Sequence, residues 1–105
     1  MRMIDVDDLE DIAIGGAVLG TGGGGDPYVG KLMAQQAIRR HGPVRLIDVA
    51  DLADDALVVP ACMMGAPTVM TEKLPQGEEL ITAFHALERL MGRKIDAVLC
   101  GEAGG

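Results

Sequence analysis

Aromatic side chains are almost missing from this sequence: it has one tyrosine, one phenylalanine and no tryptophan in 105 residues. A core made without them rests on Ala, Val, Ile, Leu and the seven methionines, which pack adaptably but give few large anchors. Apolar content of 49% is still enough for a core, which excludes a disordered tail. Positive charge is also scarce. Nine Lys and Arg stand against sixteen Asp and Glu, for a formal charge of −7. That balance repels phosphate backbones and leaves no basic patch, so nucleic-acid binding is excluded. Cysteine is limited to Cys62 and Cys100, far apart in the chain, with no C-x-x-C and no Cys/His cluster. The pattern suits reduced, buried thiols rather than a secreted disulfide scaffold. Long apolar runs are absent too: the N-terminus "MRMIDVDDLEDIA" is acidic where a secretory signal is basic, and no window approaches a membrane span. A soluble, cytoplasmic protein with no membrane partner is expected.

Glycine, by contrast, is plentiful, with fifteen residues, and it clusters. In "LGTGGGGDPYVG", Leu19 to Gly30, four consecutive glycines run into Asp-Pro. Either this is a flexible connector, or it is a cradle that brings main-chain N–H groups against a ligand.

Around that run the chain reads as α/β in the order α-α-β-β-α-β, a mixed or mainly parallel sheet with flanking helices. Asp7 and Glu10 have the spacing of a capping box, followed by a helix from about Val6 to Leu19. Gly15 and Gly16 inside it each cost roughly 1 kcal/mol relative to Ala, which implies close packing against a neighbouring backbone. Asp26 reads as an N-cap and Pro27 as the first position of a second helix, Tyr28 to about Arg40. "VRLIDV" and "ALVVPACM" read as strands, with Pro60 near a strand end or on an edge and the acidic "DVADLADD" between them as a turn or short helical piece. "GAPTVMTEKLPQG" is a loop, Leu80, Phe84, Leu87 and Met91 form a helical stripe stopped by Gly92, and "IDAVLC" is the last strand. A single N-terminal α/β domain over residues 1–105 is expected. The chain stops at "VLCGEAGG", straight after an apolar run, which points to part of a longer two-domain protein.

If the strands run parallel, three glycine-containing loops, Gly22 to Gly25, "MMGAPT" with Gly65, and "GEAGG", meet at the edge where open α/β sheets bind ligands. Gly20-x-Gly22-x-x-Gly25 is not a dinucleotide fingerprint, because it follows a helix and not a strand. Asp26 brings negative charge to the helix start, which favours a neutral polar ligand or a direct role for Asp26 on the substrate. Glu102 follows an apolar strand and is flanked by Gly101, Gly104 and Gly105, where a carboxylate can act as general base or metal ligand. Glu72 and Lys73 read either as an acid/base pair or as solvated surface. His41 and His85 suit cap or surface positions, and Met63 and Met64 suit core filling. No residue set here demands a metal.

The blocks "GTGGGGDPYVG", "GAPTVMTEKLPQGEE" and the terminal "GEAGG" occur in an order that resembles the N-terminal domain of the S-methyl-thiohydantoin desulfurase-like family. That family was long a domain of unknown function and is associated with hydantoin utilisation. The resemblance implies a hydrolase that removes sulfur or an S-methyl thiol from a thiohydantoin-type cyclic ureide. It also implies a C-terminal domain that this segment lacks, so the segment alone is expected to be inactive. On this reading Gly22, Gly23, Gly24 and Gly25 hold the ring, with Gly65, Gly104 and Gly105 also binding ligand. Asp26, Glu102, Glu72 and Lys73 are the candidate catalytic groups, Asp26 or Glu102 as base. A divalent metal is compatible with such chemistry but is not indicated by this segment, and association into a homo-oligomer is open. The alternative is a non-catalytic small-molecule-binding or regulatory module that uses the same glycine crevice.

Overall fold

The computed structural model describes residues 1–20, 24–62 and 77–104. The chain divides into two units: Met1–Leu52 joined by Glu102–Gly105, and Ala53–Gly101. Among the described residues no helix is long and apolar enough to cross a membrane.

The first unit opens with β1 (Arg2–Ile4), which pairs antiparallel with β2 (Val44–Leu46), Met3 lying opposite Arg45. Three residues are too few to show periodicity, which is why β1 is not legible in the acidic N-terminal run. A 3-10 turn, Val6–Asp8, leads into α1 (Leu9–Leu19). Here the cap differs from the Asp7/Glu10 expectation. Asp5 is the N-cap, its carboxylate accepting from the Val6 N–H, and Asp8 reaches back to accept from the Asp5 N–H at 2.9 Å. The cap thus lies two residues upstream of the one spacing suggested, while helical structure starts at Val6 as expected, as a 3-10 turn. Arg2 closes the motif on Asp8 at 2.6 Å.

After the glycine run comes α2 (Pro27–His41), capped by Asp26, whose Oδ1 accepts the Tyr28 N–H at 2.9 Å, with Pro27 at the first position. Arg39, Arg40 and His41 lie in the last turn, where cations meet the negative end of the helix dipole. The helix α1 packs on α2; Leu9 and Ile38 are buried, and Lys31 binds Glu10 at 2.6 Å while lying 5.1 Å from the Tyr28 ring centre. Losing the cap in Asp26→Ala is expected to cost about 0.5–2 kcal/mol, read as a lower unfolding midpoint in denaturant.

The second unit is a β-α-β arrangement. The strand β3 (Val58–Ala61) pairs parallel with β4 (Ala97–Cys100), Val59 opposite Val98 and Pro60 opposite Leu99. Parallel neighbours need a long crossover, and α3 (Glu79–Met91) lies within it, ending at Gly92 in the left-handed region (φ 68°). Two carboxylates tie the crossover to the strands. Asp96 accepts from the Leu57 N–H at 2.8 Å and from Arg93 at 2.9 Å, and Glu88 accepts from the Ile95 N–H at 2.9 Å.

The α/β class therefore stands, with both strand directions present. Among the described residues, however, β2 pairs with β1 and not with β3 or β4, so the strands form two two-stranded sheets. Burial is also thinner than the composition suggested. Leu9, Ile38 and Val59 are the buried hydrophobic residues among those described, whereas Val18 and Leu19 at the end of α1 are 75% and 72% exposed. Cys62 and Cys100, expected in a core, are exposed and not disulfide-bonded. Cys62 directly follows β3 and Cys100 ends β4, the two strands of one small sheet.

Two carboxylates make stability sensitive to acid. The Asp5 backbone N–H and the Arg2 guanidinium hold Asp8 below its ordinary value, and the Ile95 N–H, then His85 at 3.1 Å, do the same for Glu88. A carboxyl whose folded value is lowered contributes stability above its unfolded value and loses it as pH falls through the folded one. The thermal midpoint is therefore expected to drop on acidification through and below the ordinary carboxylate range. Glu88→Gln should flatten that acid limb without altering its neutral plateau slope; an unchanged limb would remove Glu88 from the account.

Candidate functional site

The residues singled out by sequence fall into three groups. Gly22, Gly23, Gly65, Glu72, Lys73 and Gly105 lie outside the described residues. Asp26 is on the first unit as the cap of α2, with one carboxylate oxygen committed to the Tyr28 N–H. Gly24, Gly25, Glu102 and Gly104 are described, and three of these are in contact.

That contact is built from glycines. The chain leaves α1 at Gly20, whose N–H donates to the Gly16 carbonyl at 2.8 Å, and reaches Gly24 and Gly25, both at φ 87°. Residues with a Cβ rarely adopt this left-handed backbone, so the turn ahead of Asp26 depends on glycine. Against it lies the segment Glu102 to Gly104. A Cβ built on Gly24 would stand 2.5 Å from the Gly104 nitrogen, 2.7 Å from its Cα and 3.2 Å from the Glu102 Cβ. Glu102, half-buried, thus has its Cβ directly beside the glycine turn. The route differs from the one expected. A shared sheet edge does not bring the two glycine blocks together; main-chain packing within the first unit does.

Two residues of this contact, Gly16 and Gly20, were not identified as site residues. A Cβ on Gly16 would lie 3.1 Å from the Ala103 carbonyl oxygen, and one on Gly20 would lie 3.2 Å from the Gly104 Cα. The close backbone approach inferred for Gly15 and Gly16 holds for Gly16 alone, because a Cβ on Gly15 meets nothing within 4 Å. The legible signal was the four-residue spacing of Gly16, Gly20 and Gly24.

Chemically, the arrangement sets a carboxylate-bearing residue next to backbone without side chains. The Cβ side of Gly24 is taken by the Gly104 main chain, and a carboxylate beside a turn of this kind can accept a proton from water. Among the described residues no three His, Cys, Asp or Glu gather as a metal-ligand set. An open depression of about 430 Å³ lies at the end of α3, lined by residues including His85, Glu88, Arg89 and Arg93. It holds none of the residues expected at the site, and Glu88 and Arg93 there are engaged in anchoring the turn into β4.

Comparison with curated proteins and with solved structures returned no match to either. Comparison with protein families matched residues 7–105 to the family described as "S-Me-THD-like, N-terminal domain". The match spans all three glycine-bearing blocks as well as both helices that frame the glycine turn, and on that extent the chain belongs to the S-Me-THD-like N-terminal domain family.

Proposed function

We propose that this chain is part of a hydrolase that removes an S-methyl thiol, or sulfur, from a thiohydantoin-type cyclic ureide. The observation that carries the reading is the seating of Glu102 beside the glycine turn, in a chain of this family. Water adds to the ring carbon that bears sulfur, the C–S bond breaks as the new C–O bond becomes the ring carbonyl, and of water's two protons one leaves on the thiol while the other ends on the ring nitrogen whose C=N bond becomes single; from a C=S ring both leave with the sulfide. Glu102 is the base and returns the proton to the departing thiolate. Asp26 is given a different part: its Oδ1 accepts the Tyr28 N–H as a helix cap. Its role in the reaction is to keep α2 and the glycine turn in place.

Main-chain N–H groups of Gly22 to Gly25 are assigned the holding of the ring, donating to its oxygen or nitrogen, onto which negative charge shifts as water adds. On the same family reading, Gly65, Gly104 and Gly105 are proposed as further ligand-binding residues, and Glu72 and Lys73 as further catalytic candidates. The proposed partner is a C-terminal domain of the same protein, as the family resemblance implies.

The test is to incubate the full-length protein, with its proposed C-terminal domain, with an S-methyl-thiohydantoin and follow methanethiol release and hydantoin formation. Stoichiometric appearance of both supports the hydrolase. Saturable ligand binding with no thiol released would show a binding module instead.

A further inference from the structure

Gly16, Gly20 and Gly24 recur every fourth residue, and each faces the three-residue segment Glu102 to Gly104, meeting its main chain in every case. The distances a Cβ would make to this segment are short at all three positions and shortest at Gly24. They run from 3.1 Å to the Ala103 oxygen at Gly16, through 3.2 Å to the Gly104 Cα at Gly20, to 2.5 Å from the Gly104 nitrogen at Gly24. A second observation separates this row from mere glycine richness: Gly15, adjacent in α1, would place a Cβ in open space. We propose that Gly16, Gly20 and Gly24 are positioning residues for Glu102. They form a seat free of side chains that fixes the Glu102–Gly104 backbone and so sets the Glu102 Cβ beside the glycine turn.

The physical basis is that main chain can lie directly on main chain only where no Cβ intervenes. Carbon–carbon contacts settle near 3.5–4.0 Å. A methyl at Gly24 would push Gly104 outward, and a methyl at Gly16 would press on two carbonyl oxygens, of Ala103 at 3.1 Å and of Gly104 at 3.2 Å. Because Glu102 is two residues from Gly104, displacing one moves the other. The catalytic value of the seat rests on the role of Glu102 proposed above, but its existence does not.

Gly15→Ala and Gly16→Ala make the decisive pair, because both lie within α1 and gain equally in helix propensity, and they differ in contact with the segment. In the whole protein Gly15→Ala should raise the melting temperature and leave the Glu102 and Gly104 amide resonances unmoved. Gly16→Ala and Gly24→Ala should displace both resonances. Order parameters in this segment should fall from the rigid-backbone range near ~0.85 towards or below about 0.6, while Ala97–Cys100 stays unchanged. Loss of stability alone does not move native-state resonances, so the shifts report displacement. Gly24→Ala also imposes strain at φ 87°, and if it does not fold, Gly16→Ala decides. If Gly16→Ala behaves like Gly15→Ala, the seat is overturned. Resonances that move as expected, alongside full turnover in Glu102→Gln, would keep the seat and remove Glu102 as the base.

Discussion

Glu102→Gln is expected to lower turnover of an S-methyl-thiohydantoin by roughly 10²–10⁴-fold, the usual contribution of a positioned general base. The amide preserves shape and removes the proton acceptor, and the Cβ beside Gly24 is untouched. Folding should therefore be close to wild type by circular dichroism and melting. The loss should fall on kcat and not on KM, because binding is assigned to main-chain N–H groups and not to this side chain. Asp26→Ala gives the contrast. Its effect should be a loss of stability with a moderate loss of rate, since it acts through the cap of α2. If the two variants exchanged these signatures, Asp26 would be the base.

Ile38→Ala is expected to destabilise the first unit by about 2–5 kcal/mol, the range for truncating a buried aliphatic side chain. Ile38 is 6% exposed and Leu9 7%, and these two supply the buried apolar side chains of that unit among the described residues. The substitution truncates one of the two buried apolar side chains that α1 and α2 carry among the described residues. Denaturant unfolding followed at amides of α2 should show the midpoint fall. Val59 anchors the other unit, so amides of β3 should respond less. An equal fall at both sets would show that the two units unfold as one.

Much of this was legible because it is local. Asp26-Pro27 fixes a helix start through a side chain accepting the N–H two residues on, and Gly92 fixes a helix end through its φ; neither requires knowledge of the rest of the chain. The 3.6-residue stripe of Leu80, Phe84, Leu87 and Met91 likewise marks α3 by itself. Glycine content and the order of the glycine blocks were enough to indicate the family.

Tertiary structure alone decided which strands pair. Backbone hydrogen bonds carry no residue identity, so nothing in "RMI" distinguishes a partner for "VRL", and β1 with its pairing emerged only in three dimensions. Burial was decided there too, because an apolar residue such as Val18 or Leu19 is covered or exposed according to what lies next to its helix. So was the meeting of Glu102 with Gly24, 78 residues earlier in sequence. Sequence marks both as glycine-rich neighbourhoods, but contact across that separation depends on the path of the whole chain. The determinant is the missing Cβ at Gly16, Gly20 and Gly24: sequence states that it is missing, and only the fold shows which backbone takes its place.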